Sequence, residues 1–151
     1  MKLLPTYQKL RGGYYTPDAI AHFLSKWAIR RPDDRILEPS CGNGTFLQAA
    51  AERLRSLGAP SAQIARAIVG FEIDVLEAAK AVSRLKPLGV GLKQARIYPL
   101  DFFSEKAQVA ASGEFDAVLG NPPFIRYQNF PEEQRDRALE LMRDVGCTRI
   151  D

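Results

Sequence analysis

The stretch "GNPPFIRY", residues 120–127, follows an apolar run and carries groups suited to one kind of chemistry. Its two prolines cannot donate backbone hydrogen bonds, so they stop a strand and hold the chain rigidly after it. The amide oxygen of Asn121 and the backbone carbonyl of Pro122 suit the two hydrogens of a planar amine. Rigid acceptors of this kind would turn the exocyclic nitrogen of adenine towards a tetrahedral, nucleophilic form. Phe124 adds a flat surface for stacking on a base.

A polar residue stands at or near the end of each of the four segments that the sequence pattern predicts to be strands. These residues are Glu38, Glu72, Asp101 and Asn121. Strands that alternate with helices predict a parallel sheet, and such sheets bind ligands at the carboxyl ends of their strands. One carboxylate at a strand end is usually a solvated turn residue or a helix cap. Four polar residues on one edge indicate a binding site.

The loop "EPSCGNG" joins the first predicted strand to a helix. Gly42 and Gly44 would let a ligand approach the backbone closely, and the following helix offers free amide donors. Leu47 stands where a dinucleotide fingerprint has its third glycine, so the loop does not distinguish a nicotinamide dinucleotide from another adenosine-containing ligand. Glu72, about one strand–helix unit further on, is placed to accept hydrogen bonds from a ribose diol.

The chain before this loop predicts a helix. Thr16 is a capping hydroxyl, and Pro17 suits the first helical position. Five apolar residues then recur at helical spacing and predict the buried face, namely Ile20, Phe23, Leu24, Trp27 and Ala28. His22 falls off that face, and we expect it to be solvated.

The chain after the loop predicts a second helix and a second strand. The apolar face of the helix is predicted to comprise Phe46, Leu47, Ala50, Leu54 and Leu57. Gly58 follows that face and marks the end of the helix. The run "ARAIVGFEI", residues 65–73, is rich in β-branched and aromatic residues and predicts a buried strand.

Asp74 is expected to cap a third helix, with Glu77 completing a capping box. The predicted apolar stripe of this helix is Val75, Leu76, Ala79 and Val82. Two more strands are predicted in "ARIYPL" and "EFDAVLG", and a last helix is predicted in "PEEQRDRALELMRDVG". The pattern as a whole predicts an α/β fold.

The composition is that of a globular domain, with 151 residues, 46% of them hydrophobic, and a net charge of +3. The charges are spread along the chain, so they point only weakly to a polyanionic partner. Cys41 and Cys147 form no metal-binding pair, so we expect reduced cysteines and no metal site. The sequence lacks a signal peptide and an apolar membrane span, which predicts a cytoplasmic protein.

Taken together, the motifs resemble the class I S-adenosylmethionine-dependent methyltransferases, and most closely the γ-type N6-adenine DNA methyltransferases. "GGYYTP" is similar to their N-terminal cofactor motif, and "EPSCGNGTFL", "GFEID" and "LDFF" are similar to their first three core motifs. "GNPPF" is similar to their catalytic motif, (D/N/S)PP(Y/F/W). The resemblance implies a Rossmann-like class I methyltransferase fold, a parallel sheet with helices on both faces, of which only the N-terminal four strands are present.

The resemblance implies S-adenosylmethionine as the cofactor and a role for each matching residue. The implied cofactor-binding residues are Tyr15, Thr16, Glu38, Gly42, Gly44, Glu72, Ile73, Asp101 and Phe102. Tyr15 and Thr16 would hold the methionine end of the cofactor, and Glu72 would bind the ribose hydroxyls. Asp101 would accept a hydrogen bond from the adenine amino group of the cofactor, with Ile73 and Phe102 packed nearby.

The same resemblance implies catalytic roles for Asn121, Pro122 and Phe124, which would hold the target amine and its base. The methyl group would pass in line to the nitrogen, with no covalent enzyme intermediate. DNA would be the partner, and its adenine would have to be flipped out of the duplex. The expected setting is a restriction–modification or related defence system.

We expect residues 1–151 to be the N-terminal part of a methyltransferase catalytic domain. Residues 1–32 would hold the first helix and cofactor motif, residues 33–127 the core with the glycine loop and NPPF, and residues 128–151 a C-terminal helix. Because the sheet of the family has further strands and a target-recognition domain is absent here, we expect little methyl transfer from the isolated chain. The fourth strand would lie at an open edge, which predicts self-association.

Other functions share parts of this pattern. Motifs of the NPPF type also serve methyltransferases that act on guanine N2 in RNA or on glutamine in release factors. The early "GGYYTP" element favours the DNA branch. A non-catalytic cofactor-binding fragment would keep the same motifs, whereas a dinucleotide oxidoreductase would leave NPPF without a role.

Overall fold

The structure, a computed structural model, describes residues 15–91, 93–123, 132–144 and 146–147. The elements in chain order are α1 (Asp18–Ala28), β1 (Ile36–Glu38), α2 (Thr45–Ser56), α3 (Ser61–Ala67), β2 (Ile68–Phe71), α4 (Val75–Leu85), a 3-10 turn (Lys86–Leu88), β3 (Arg96–Tyr98), α5 (Glu105–Ala110), β4 (Ala117–Val118) and α6 (Glu132–Asp144). The four strands form one sheet in the order β3-β2-β1-β4.

Strand β1 lies inside the sheet and sets the register of its two neighbours. Ile36 is aligned with Ile68 of β2 on one side and with Ala117 of β4 on the other. Each of these pairings is parallel, and so is the pairing of β2 with β3. The carboxyl ends of the strands therefore meet at one edge of the sheet, as the sequence predicted.

Helices cover both faces of the sheet. On one face, Ile36 and Ile68 belong to the same buried cluster as residues of α1, α2, α3 and α4. On the other face, Leu37 and Val69 belong to a cluster with Ala107 of α5. Neighbouring residues of β1 thus point to opposite faces, as a pleated strand requires. The predicted α/β arrangement with a parallel sheet is confirmed.

The predicted buried face of α1 is wrong for its largest members. Phe23 and Trp27 are 69% and 68% exposed, and Ile20 is half exposed. The side of α1 that is buried instead carries the small residues Ala21 and Ser25. Small residues let α1 pack closely on α2, and this rotation about the helix axis turns the large apolar side chains outward.

His22 was expected to be solvated, but it joins α1 to α2. Its Nε2 lies 2.6 Å from Oε2 of Glu52, and its Nδ1 lies 2.6 Å from the backbone oxygen of Asp18. Arg53 adds a second connection, because its Nε donates to the carbonyl of Ile29 just after α1. These polar contacts favour the observed rotation of α1 over one that would bury the aromatic residues.

The predicted stripe on α4 is also wrong. Val75, Leu76 and Ala79 are exposed, while the buried residues of α4 are Ala78, Ala81 and Leu85. The predicted cap is present, because the side chain of Asp74 accepts hydrogen bonds from the backbone amides of Leu76 and Glu77. The reason for the error is again close packing, since α4 meets the glycine loop through Ala81.

The predicted strand at residues 65–73 is only partly correct. The strand covers Ile68–Phe71, and the preceding residues belong to helix α3, which the sequence pattern did not reveal. Ile64, Ala65 and Ala67 are buried in this short helix, so its apolar residues run on into the strand, and the exposed Arg66 alone did not mark the boundary. The apolar face predicted for α2 is confirmed at Phe46 and Leu47, which are buried.

We predict that the His22–Glu52 pair makes stability depend on pH. Hydrogen bonds with Glu52 and the Asp18 backbone raise the pKa of His22, so its contribution is complete below about pH 6.5, the ordinary histidine value, and is lost as pH rises through the raised pKa. Because both side chains are partly exposed, the contribution is expected to stay below about 1 kcal/mol. Thermal unfolding from about pH 6 to about pH 9 should show the wild-type protein losing this advantage over His22→Gln. A pH-independent difference between the two proteins would contradict it.

We also predict that the isolated chain self-associates through β4. Within the described residues, β4 pairs only with β1, and Val118 is 63% exposed on it. An apolar edge strand is a template for another chain. Sedimentation velocity should show association that Val118→Lys weakens, whereas Val109→Lys, at a position on α5 that is 74% exposed, should not. A wild-type chain that stays monomeric as its concentration rises would show that the edge is harmless.

Candidate functional site

The loop between β1 and α2 is tied to the neighbouring strand by its own backbone. The amide of Cys41 donates to the carbonyl of Phe71 at 2.7 Å, and the amide of Gly44 donates to the carbonyl of Cys41 at 2.8 Å. Gly42 and Gly44 have φ angles of 51° and 85°, in the left-handed region that favours glycine. The loop thereby brings the N-terminus of α2 to the carboxyl end of the sheet.

The two glycines of this loop have different surroundings. A Cβ at Gly44 would lie 2.7 Å from both Cα and Cβ of Ala81, so Gly44 is the point at which the loop packs on α4. A Cβ at Gly42 would meet nothing within 4 Å. Gly42 therefore borders open space, where a ligand could approach the backbone, whereas Gly44 faces a helix.

A small, open-sided cavity lies beside this loop. Five predicted site residues line it, namely Tyr15, Thr16, Glu38, Gly42 and Asn121. Five residues that the sequence reasoning missed also line it, namely Ser40, Cys41, Asn43, Thr45 and Phe46. All five missed residues belong to the run "SCGNGTF", so their closeness to Gly42 in the sequence was the available signal.

The carboxylate of Glu72 joins the glycine loop to the start of α4. Its Oε2 accepts from the amide of Gly42 at 2.9 Å, and its Oε1 accepts from the amide of Asp74 at 2.8 Å. One side chain at the end of β2 thus holds two loops at the edge of the sheet. The sequence predicted the position of Glu72 at this edge, but not its backbone partners.

Glu38, at the end of β1, has a different environment. Its side chain is buried, with the residue only 2% exposed, and its Oε2 has no hydrogen-bond partner in the described part of the protein. Burial raises the pKa of this carboxyl group well above its ordinary value, and the nearby charge of Glu72 raises it further. A backbone hydrogen bond with Leu47 acts in the opposite direction. The cavity wall therefore contains an acceptor that no described protein group satisfies.

Asn121 and Thr16 meet across the cavity although they lie far apart in the sequence. Nδ2 of Asn121 donates to Oγ1 of Thr16 at 3.4 Å. Next to Thr16, the hydroxyl of Tyr15 donates to Oε2 of Glu77 at 3.0 Å, which ties this part of the chain to α4. The N-terminal motif and the NPPF motif therefore border the same cavity.

The other predicted residues lie outside the cavity wall. Ile73 is exposed, and Oδ1 of Asp101 accepts from the amide of Phe103 at 3.0 Å. Phe102 packs edge-on against Phe71 in the core beneath α5, with ring centroids 5.5 Å apart. Pro122 is exposed. The role proposed for each of them stays a prediction, and Phe124 lies outside the described residues.

Cys41 lines the cavity as a free thiol. Burial raises the pKa of this thiol far above its ordinary value, and the nearby charge of Glu72 raises it further. The thiol therefore stays protonated, so Cys41 does not have the thiolate that a cysteine nucleophile needs.

Comparison with known proteins identifies the family. Residues 2–143 match the family described as N-6 DNA Methylase, and the chain belongs to that family. It is 30% identical over 123 residues to the type II methyltransferase M.XamI of Xanthomonas campestris pv. amaranthicola, covering 81% of this chain. It is 29% identical over 147 residues to the type I restriction enzyme MjaVIII methylase subunit of Methanocaldococcus jannaschii, covering 93% of this chain.

A solved structure shares the fold. A modification subunit attributed to a type I restriction enzyme from Vibrio vulnificus YJ016 superposes with a TM-score of 0.61 at 24% identity, over 87% of this chain and 30% of that one. The chain spans only 21% and 24% of the lengths of the two curated relatives. Among the described residues, no helix combines the length and apolar character needed to cross a membrane.

The two glycines supply a matched pair of variants. Ala in a left-handed conformation costs roughly 1–2 kcal/mol, and this is the expected loss of unfolding free energy for Gly42→Ala. Gly44→Ala adds the clash with Ala81, so a further loss of about 1–3 kcal/mol is expected. Urea unfolding of both variants measures the difference. Equal losses would show that the approach of α4 to the loop is loose enough to absorb a methyl group.

Proposed function

We propose that this chain forms part of an enzyme that transfers a methyl group from S-adenosylmethionine to the N6 amine of adenine in DNA. The proposed setting is a restriction–modification or related defence system in the cytoplasm. The observation that carries the proposal is one cavity whose wall includes both Glu38, with its unsatisfied oxygen, and Asn121 of the NPPF motif. Membership of the N-6 DNA methylase family and the names of the relatives support the reaction and the DNA substrate.

The residues of the cavity fit the amino-acid end of such a cofactor. S-adenosylmethionine, when bound, supplies an electrophilic methyl group on a sulfonium. The unpartnered Oε2 of Glu38 is a buried acceptor that suits an ammonium group, and burying it without a partner costs about 1–3 kcal/mol. The open space beside Gly42 lets a ligand approach the backbone. Tyr15 and Thr16 supply hydroxyls at the same wall.

Glu72 is proposed to bind the ribose hydroxyls. A carboxylate offers about four lone-pair positions, and backbone amides of Gly42 and Asp74 use two of them. The remaining positions suit the two adjacent hydroxyls of a ribose. The two amide bonds also fix the orientation of the carboxylate, so it needs little reorganisation when a ligand binds.

Asn121 is proposed to hold the target amine. Its Nδ2 donates to Oγ1 of Thr16, and its Oδ1 is the atom proposed to accept from the amine. The carbonyl of Pro122 is the second proposed acceptor, in a chain that consecutive prolines stiffen. Acceptors fixed before the reaction stabilise the charge that develops on the nitrogen as the bond to the methyl group forms. Phe124 is proposed to stack on the base of the target nucleotide.

The proposal includes extrusion of the target adenine from the duplex, because an amine inside a base pair is out of reach of a cavity. Methyl transfer to guanine N2 in RNA or to glutamine in a release factor would use the same acceptors. A transfer assay that offers unmethylated DNA, ribosomal RNA and a release factor separates the three substrates. If this chain is part of a longer polypeptide, the assay uses that polypeptide, since little transfer is expected from the 151-residue chain alone.

Two variants are predicted to give opposite results. Asn121→Ala should abolish most methyl transfer to DNA while binding of the cofactor product, S-adenosylhomocysteine, survives. Glu72→Ala should weaken that binding at least about tenfold, because hydrogen bonds to charged groups contribute roughly 1.5–3 kcal/mol each. Calorimetry measures the binding, and incorporation of a labelled methyl group measures the transfer.

The outcomes separate the two halves of the proposal. Robust methylation by Asn121→Ala would remove Asn121 from the reaction while leaving the cofactor site intact. Unchanged affinity in Glu72→Ala would remove Glu72 from the cofactor site. Glu114→Gln, an exposed carboxyl outside the cavity wall, is the control that should leave both measurements unchanged.

A further inference from the structure

Glu38 is almost completely buried, and no described protein group completes the hydrogen bonding of its carboxyl group. It ends β1, aligned with Gly70 of β2, and a Cβ on Gly120 beyond β4 would lie 3.7 Å from its Cγ. Gly120 is therefore the residue beyond β4 that lies against this side chain. The residue is 2% exposed and belongs to the cavity wall, and its Oε2 has no partner in the described part of the chain.

The charges around Glu38 do not favour a second negative charge in the empty cavity. The described lining contains no lysine, arginine or histidine. The carboxylate of Glu72 is the nearby charged group, and the Cys41 thiol and the Tyr15 phenol are the other titratable groups at the wall. The backbone hydrogen bond with Leu47, in the first turn of α2, is the interaction that favours ionisation.

We propose that Glu38 is a charge-selecting residue whose carboxyl group is protonated in the empty cavity and ionised when a cationic ligand is bound. An ammonium or sulfonium group that enters the cavity would pair with the carboxylate of Glu38. The proton displaced from that carboxyl group would pass to solvent. Binding of the proposed cofactor would thus release about one proton per ligand. The release is expected at pH values between the pKa of Glu38 in the complex and its pKa in the free protein. This inference rests on the proposed cofactor and explains how the site would select a ligand that carries a positive charge.

The direction of the pKa of Glu38 agrees with this geometry. Burial, and then the charge of Glu72, raise its pKa well above the ordinary value in the protein without ligand. A cation beside the same carboxyl group lowers the pKa, because opposite charge favours the ionised form. Affinity for a cationic ligand must therefore rise with pH between the pKa of the complex and that of the free protein.

The proposal distinguishes ligands by charge and not by their adenosine part. S-adenosylmethionine carries an ammonium and a sulfonium beside its α-carboxylate, and S-adenosylhomocysteine carries the same ammonium and α-carboxylate without the sulfonium. The neutral nucleoside 5′-methylthioadenosine carries none of these groups. If Glu38 contributed only to the shape of the site, binding of 5′-methylthioadenosine would release the same number of protons as binding of the other two ligands.

Calorimetry of these three ligands in buffers of different ionisation enthalpy measures the protons released. Wild-type protein should release about one proton on binding S-adenosylmethionine or S-adenosylhomocysteine. Its affinity for these two ligands should rise by up to about tenfold for each unit of increase in pH. Release should be near zero with 5′-methylthioadenosine, and near zero with every ligand for Glu38→Gln. The Glu114→Gln control should behave as wild type.

The folding of Glu38→Gln is itself informative. Gln has the shape of a neutral carboxyl group, so the variant should melt at or above the wild-type temperature at alkaline pH. If the variant does not fold, infrared difference spectra of the wild-type protein replace it, and ligand binding should remove the band of a protonated carboxyl group.

Three outcomes would overturn the inference. Equal proton release by wild type and Glu38→Gln would assign the proton to another group. Absence of the protonated carboxyl band in the empty protein would show that Glu38 is already ionised. Binding of S-adenosylmethionine without proton release at any pH would defeat the charge switch but leave the proposed cofactor in place, whereas no binding at all would defeat the proposed function itself.

Discussion

The site depends on one side chain that holds two loops together. Glu72 accepts from the amide of Gly42 in the loop before α2 and from the amide of Asp74 before α4. Each of these loops leaves a different strand, so only a group at the carboxyl edge of the sheet reaches both. The close contact of Gly44 with Ala81 follows from this constraint, because the same two segments meet there. The cavity is the space that remains beside the joined loops.

The sequence predicted the parts of the fold that depend on local pattern. Short apolar runs followed by polar residues predicted the strands, and a regular apolar face predicted α2. The orientation of α1 and α4 was not predictable in this way. Hydrophobic periodicity assumes that the largest apolar residues face the core, whereas α1 packs through Ala21 and Ser25 and α4 through Ala78 and Ala81. Close approach of helices selects small residues, and the pattern of large residues then points elsewhere.

The features of the candidate site also separate into those that local sequence pattern predicted and those that it did not. The positions of strands and turns in the sequence place Glu38 at the carboxyl edge of the sheet. They also place Gly42 in a turn, where a left-handed backbone conformation favours glycine. The partners of those residues do not follow from the local pattern, because they come from distant segments. The bond between Asn121 and Thr16 joins residues 105 positions apart, and the burial of Glu38 arises only when β2, β4 and α2 pack around it. The five missed wall residues lie beside Gly42 in sequence. Nothing in the types of Ser40, Cys41 and Asn43 distinguished them from ordinary loop residues, and Thr45 and Phe46 were read only as the start of α2.

Two carboxyl groups at one edge of a sheet would ordinarily repel each other, and the structure gives them different environments. Glu72 has a backbone amide on each oxygen, so its charge is stabilised by the protein alone. Glu38 lies deeper, keeps one oxygen without a partner, and bears the effect of the charge on Glu72. The carboxylate of Glu72 holds the two loops through its backbone partners. Oε2 of Glu38 has no partner among the described residues and is the acceptor proposed for a bound ligand.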